Sequence, residues 1–105
     1  MATNELGLDY ELRGTTAELA LNGDLDMAAA FKLEPAIERV VSQNDVEELV
    51  LDLDGVSFID SAGLGSLLST HERLNDLGIK STISRSSAAV ERVLDATGTR
   101  DVLIG

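Results

Sequence analysis

The sequence predicts an α/β fold, a mixed β-sheet packed by helices in the order β-β-α-β-α-β-α with a short C-terminal strand or tail. Three observations carry this reading. Two alternating stretches near the N-terminus are separated by Gly14-Thr15, the pattern of a β-hairpin. The second of them leads into a helical period and then a new strand, which implies a right-handed crossover and parallel pairing. At the centre, Val50 to Leu68 passes from a buried strand through a short connection into a helix.

Each element follows from its own pattern. Leu6 to Arg13 sets Leu6, Leu8, Tyr10 and Leu12 on one side, and Thr16 to Leu21 sets Ala17, Leu19 and Leu21 on one face. These two strands are expected to pair antiparallel at the sheet edge. Gly23-Asp24-Leu25-Asp26 closes the second strand, and Asp26 is a suitable N-cap. From Met27 to Ser42, Leu33, Ile37, Val40 and Val41 form a helix face while Lys32, Glu34, Glu38 and Arg39 lie outward. Pro35 removes one helical hydrogen bond and predicts a kink, or a break near Leu33.

The strand Glu48 to Leu53 contains a nearly continuous apolar run, Leu49, Val50, Leu51 and Leu53, suited to burial on both faces. A second helix is expected from Ala62 to Leu77, with Leu64, Leu67, Leu68, Leu74 and Leu77 at helical spacing and Gly78 as its C-terminal cap. Ile79 to Ser84 is the next strand. Ser86 or Ser87 then caps a third helix with a buried stripe of Val90, Val93 and Leu94, ended by Gly98. Val102-Leu103-Ile104 completes the chain as a short strand or docked tail.

Asp60-Ser61-Ala62-Gly63-Leu64-Gly65 stands where strand becomes helix. Ser61 falls where the first helical amides point out unpaired, and its oxygen can cap them. The same amides and the positive end of the helix dipole also favour a phosphate, and a phosphate on Ser61 would add about −1.5 to −2 charges beside Asp60. Gly63 and Gly65 weaken the first turn by about 1 kcal/mol each relative to alanine, and offer a surface that another backbone or a nucleotide could approach. On residues alone, a structural turn and a functional hinge both stand. Asp24 and Asp26 fall in a second strand-to-helix connection, and in parallel sheets such connections gather at the carboxyl ends of the strands. Two distant stretches thereby form one candidate face.

With Phe58-Ile59-Asp60-Ser61-Ala62-Gly63-Leu64-Gly65, with Gly23-Asp24-Leu25-Asp26 upstream, and with the strand Val50 to Leu53 before the serine, the chain resembles the STAS domain family, and within it the single-domain bacterial anti-sigma factor antagonists. The resemblance covers essentially the whole chain, residues 1–105, as one domain with a STAS-type sheet. It implies that Ser61 is the phosphoacceptor of a partner that is both anti-sigma factor and serine kinase, and that a metal-dependent serine phosphatase reverses the modification. Many members carry Ser or Thr at the position of Ala62, and its absence here leaves Ser61 the less ambiguous acceptor. The implied contact surface is Asp24, Asp26, Asp60, Ser61, Ala62, Gly63, Leu64 and Gly65, with Leu64 and the glycines as an apolar middle and Asp24 and Asp26 at the rim. No cofactor is expected, and a weak homodimer is compatible. Within the family, the alternative is a scaffold or accessory subunit of a lipid-transport or stress-signalling assembly.

Composition bounds the remaining classes. With 19 acidic and 8 basic residues the formal charge is −11, which repels nucleic-acid phosphates and anionic lipid headgroups and suits a basic partner face. There is no cysteine, so neither disulfides nor thiolate metal sites are available. Met1 to Gly7 has no basic start or long apolar run, and no stretch approaches the roughly 18 apolar residues of a membrane span, so a cytoplasmic, soluble protein is expected. His71 lies ten residues beyond Ser61, about 15 Å along a helix, and cannot be its base, which argues against a serine hydrolase and for a hydrogen-bonded histidine at the core margin. Asp24, Asp26, Asp52, Asp54 and Asp60 match no recognised cation loop. Gly63 and Gly65 lack the lysine of a P-loop, leaving a nucleotide-binding regulatory domain as the alternative from another class.

Overall fold

A computed structural model describes residues 5–103. Its elements are β1 (Gly7–Arg13), β2 (Thr16–Leu25), α1 (Met27–Gln43), β3 (Glu48–Ile59), α2 (Ser61–Asp76), β4 (Lys80–Ser86), α3 (Ala88–Thr97) and α4 (Arg100–Leu103). The sheet order is β1-β2-β3-β4. β1 pairs antiparallel with β2 across the Gly14-Thr15 turn, where Gly14 takes a positive φ of 62°. β2, β3 and β4 run parallel, so α1 and α2 are crossover connections of the expected kind.

Registry explains why one face is buried. Ala17 stands opposite Leu49 and Leu19 opposite Leu51, with Ile83 beyond, so these side chains share a face and join the buried side chains of the helices in one core. The alternate residues Glu18, Ala20, Val50 and Asp52 are only partly buried. The expectation that β3 is covered on both faces is therefore corrected: its apolar run conceals a period of two in which Val50 sits on the open face.

β3 is also longer than its apolar run. It continues through Val56 to Ile59, because β2 extends to Leu25 and supplies partners for Gly55 to Ile59, with register shifts absorbing the irregular stretch. β4 pairs with β3 only as far as Leu53. The last six residues of β3 are thus bonded along the ladder to β2 alone.

The helix ends follow the caps. Asp26 accepts from the Ala29 amide at 3.0 Å, and Ser87 from Val90 at 3.3 Å, which resolves the choice between Ser86 and Ser87. Gly78 and Gly98 take positive φ of 77° and 70° after α2 and α3. Leu77 lies past the last helical residue of α2 and is exposed rather than part of the buried stripe. α1 runs unbroken through Pro35. The carbonyl deprived of a donor there belongs to Phe31, a residue standing in solvent, where water can replace the lost bond. At the C-terminus, of the expected strand or docked tail, the structure has a docked tail in the form of a single helical turn, α4: Arg100 pairs with Glu91 and Asp95 of α3, and Leu103 docks into the core. Ile104 lies outside the described residues, as do Met1 to Asn4.

Candidate functional site

The carboxyl ends of β2 and β3 lie side by side, Leu25 opposite Ile59, and each passes into its helix through a single aspartate. Asp26 and Asp60 have nearly the same extended backbone, φ −102° and −110°, and each caps its helix through its side chain. The Gly63 amide donates to Asp60 Oδ1 at 2.8 Å and the Leu64 amide to the Asp60 carbonyl at 2.9 Å. Ser61 is therefore the first residue of α2 and not its cap, contrary to the capping role considered from the sequence. Either residue type can cap; Asp60 takes the role because its backbone is extended while that of Ser61 has already turned helical.

Asp60 does a second job. Its Oδ2 accepts from the Met27 amide at 3.2 Å, so one carboxylate satisfies the first turns of both helices. The Ser61 side chain is exposed beside that carboxylate.

The two glycines separate in role. A Cβ built on Gly63 would lie 1.9 Å from the Leu25 carbonyl oxygen, so this glycine lets α2 press against the end of β2. It is buried and offers no surface to a partner or a nucleotide. A Cβ on Gly65 would meet nothing within 4 Å, and that residue is exposed. Leu64 is only 7 % exposed and belongs to the core, so the expected apolar middle of the contact surface is not formed by Leu64. Its helical phase, shared with Leu67 and Leu74, already placed it inward.

Asp26, Asp60 and Ser61 come together as expected, with Ala62 half-buried behind the serine. Asp24 does not lie in a connecting loop: it is within β2 opposite Phe58, and its Oδ1 accepts from Ser57 Oγ at 3.1 Å. Asp24 and Asp26 also line a hollow of about 270 Å³ between β1 and α1, together with Leu6, Leu8, Lys32 and Leu33. Asp52 and Asp54 lie further back on β3. Asp52 pairs with Arg85 at 2.5 Å, and this charged hydrogen bond holds its carboxyl below the usual carboxylate range. His71 Nδ1 meets Ser81 Oγ at 2.6 Å, which makes it a hydrogen-bonded histidine at the core margin.

Three large apolar side chains at this end went unnoticed in the sequence. Met27 is 62 % exposed, Phe31 78 % and Phe58 49 %. A signal was available for the first two: they are four residues apart on α1 yet out of phase with Leu33, Ile37 and Val40.

Residues 8–104 match the STAS domain family. Over 71 residues the chain is 37% identical to the anti-sigma-F factor antagonist RsfB of Mycobacterium tuberculosis; the aligned stretch is 68% of this chain and 57% of that protein, so it spans little more than half of that relative. The crystal structure of an anti-sigma factor antagonist from Mycobacterium paratuberculosis superposes with a TM-score of 0.82 at 28% identity, covering 97% of this chain and 86% of that one. The anti-sigma factor antagonist SpoIIAA of Bacillus, solved in its unphosphorylated form, shares the fold with a TM-score of 0.76 at 22% identity over 93% of this chain and 86% of its own. A mixed sheet whose two parallel strand ends deliver aspartate-capped helices to one face, with sequence matching from the first strand to the last turn, makes this chain a member of the STAS domain family.

Proposed function

We propose that the protein is an anti-sigma factor antagonist that binds a kinase-type anti-sigma factor while Ser61 is unmodified, releasing a sigma factor, and is switched off by phosphorylation of Ser61. The observation that carries this reading is the setting of Ser61. Its hydroxyl is exposed at the first position of α2, while the neighbouring carboxylate is already committed to the amides of Gly63 and Met27. The serine is therefore free to enter a kinase site without dismantling the helix start. The relatives, named as antagonists of anti-sigma factors, agree with an anti-sigma partner.

Phosphate at this position adds about −1.5 to −2 charges next to Asp60, in a chain of net charge −11. A partner face that accepts the free hydroxyl must then desolvate a dianion or let go. Moving an interaction from 99% bound to 99% free needs about 5.5 kcal/mol, which screened rim charges do not supply, so Ser61 belongs near the centre of the contact. A metal-dependent serine phosphatase would reset the switch. The nucleotide-binding alternative loses its main support, because Gly63 is filled by the Leu25 carbonyl and the amides of Gly63 and Leu64 are already bonded.

The test is intact mass and binding of the wild type, Ser61→Ala and Ser61→Asp, each incubated with candidate kinase-type anti-sigma factors and ATP. The expected result is one phosphoryl group gained by the wild type and not by Ser61→Ala, with binding kept in Ser61→Ala and abolished in Ser61→Asp. Equal binding by all three without mass gain would reduce Ser61 to a residue of the helix surface.

A further inference from the structure

Met27, Phe31 and Glu38 lie within about 40° of one another around α1, at 100° per residue, and Ala62, Ser66 and Arg73 have the same spacing around α2. The two stripes face one another. Arg73 Nε donates to Glu38 at 3.1 Å towards their far ends, and the Met27 amide donates to Asp60 at 3.2 Å at their starts. Carried back along both helices from the Glu38–Arg73 pair at the same spacing, this register sets Met27 against Ala62 and Phe31 against Ser66. Along most helix seams a large apolar side chain is covered by another; here both opposing residues are small. Ser66 further turns its hydroxyl back onto the Gly63 carbonyl at 2.7 Å, and Gly65 beside it carries no side chain. Phe31 is consequently 78 % exposed, although it is one of only two phenylalanines in the chain.

We propose that Met27 and Phe31 form the apolar anchor of the contact with the kinase-type anti-sigma factor, inserting into a pocket of that partner while its edge drops into the shallow seam over Ala62, Ser66 and Gly65. This rests on the switch reading above, and identifies the apolar part of the surface that Leu64 does not provide. The occupant follows from position and charge. The anchor adjoins Ser61, which must itself enter the partner's active site, so both belong to one footprint. Asp24, Asp26 and Asp60 collect at the same end of a chain of net charge −11, which calls for a basic rim around the receiving pocket. Aromatic side chains seated in a desolvated centre carry much of the energy of such contacts, while surrounding charges set encounter rate and orientation.

The experiment compares the wild type, Phe31→Ala, Met27→Ser, Leu77→Ala and Ser61→Asp for binding to the anti-sigma factor that phosphorylates Ser61, and for the kinetics of that phosphorylation. Phe31→Ala is expected to weaken binding about 30-fold and to raise KM with kcat unchanged, Met27→Ser to do so by about 5-fold, and Leu77→Ala, exposed at the far end of α2, to do neither. Because Phe31 stands in solvent, its thermal unfolding midpoint should match that of the wild type, which separates a lost contact from a lost fold. Wild-type binding by Phe31→Ala and Met27→Ser alongside a failed Ser61→Asp overturns the anchor and leaves the switch intact. Absence of both binding and phosphorylation in the wild type overturns the switch and the anchor with it.

Discussion

The starts of α1 and α2 are built alike and finished differently. In each, a strand ends in a buried aliphatic residue, an aspartate caps the helix, and the chain turns directly into its first turn: Leu25-Asp26-Met27-Ala28-Ala29 in one, Ile59-Asp60-Ser61-Ala62-Gly63 in the other. The first and fifth helical positions are exposed in both. They hold Met27 and Phe31 on α1, and Ser61 and Gly65 on α2. One start presents apolar bulk, and the other a hydroxyl and bare backbone. Geometry supplied twice by the fold has been given two chemistries, and under the proposed function the first holds a partner while the second decides whether it stays.

The sharpest way to break this comparison is at the third helical position, where alanine on α1 faces glycine on α2. Gly63→Ala forces a methyl into the Leu25 carbonyl oxygen and is expected to cost about 3 kcal/mol of stability in urea unfolding, whereas the matching change Ala29→Gly should cost about 1 kcal/mol and Gly65→Ala should be neutral or stabilising by up to about 1 kcal/mol. Equal effects at Gly63 and Gly65 would mean that α2 does not press on β2 as described.

A smaller difference is expected between the caps. Asp26→Ala removes one accepted amide and should cost about 1 kcal/mol, while Asp60→Ala also strips the Met27 amide and should cost about 1.5 to 2 kcal/mol. Urea unfolding of both variants checks the order. The smallest effect lies away from both helix starts. The Asp52 carboxyl is held below its usual 3.8 by Arg85, so the pair stabilises the folded state above that value and the stabilisation is lost as pH falls through the lower folded pKa. The stability gap between the wild type and Arg85→Ala should accordingly be present at neutral pH and close in acid, with binding to the partner untouched throughout.

Much of this molecule was legible because its signals were local. Alternation gave the hairpin, glycines past the helix ends gave Gly78 and Gly98, and Asp26 could be named as a cap from its place before an apolar helix. Where the outcome depended on a distant neighbour, reading along the chain could not decide. The last half of β3 contains Asp54, Gly55 and Ser57 and reads as a connection; it is a strand because β2 happens to run alongside. Gly63 and Gly65 look equivalent until the Leu25 carbonyl is known to face only one of them. Asp60 and Ser61 are both capping residues, and the choice between them is a matter of backbone angle. Leu64 was misplaced and Phe31 overlooked for a different reason, since helical phase alone would have put the first inside and the second outside.

The half-paired end of β3 has a consequence in time. From Asp54 to Ile59 the strand is bonded along the ladder to β2 only, while Glu48 to Leu53 is flanked by strands on both sides. Opening the distal stretch breaks one row of hydrogen bonds instead of two, so it breathes more often and at lower cost than the strand behind it. Ser61 begins the helix that follows that stretch. Under the proposed function, the serine is thus presented next to the least firmly held part of the sheet, with its side chain already exposed, while the ladder behind it stays paired on both sides.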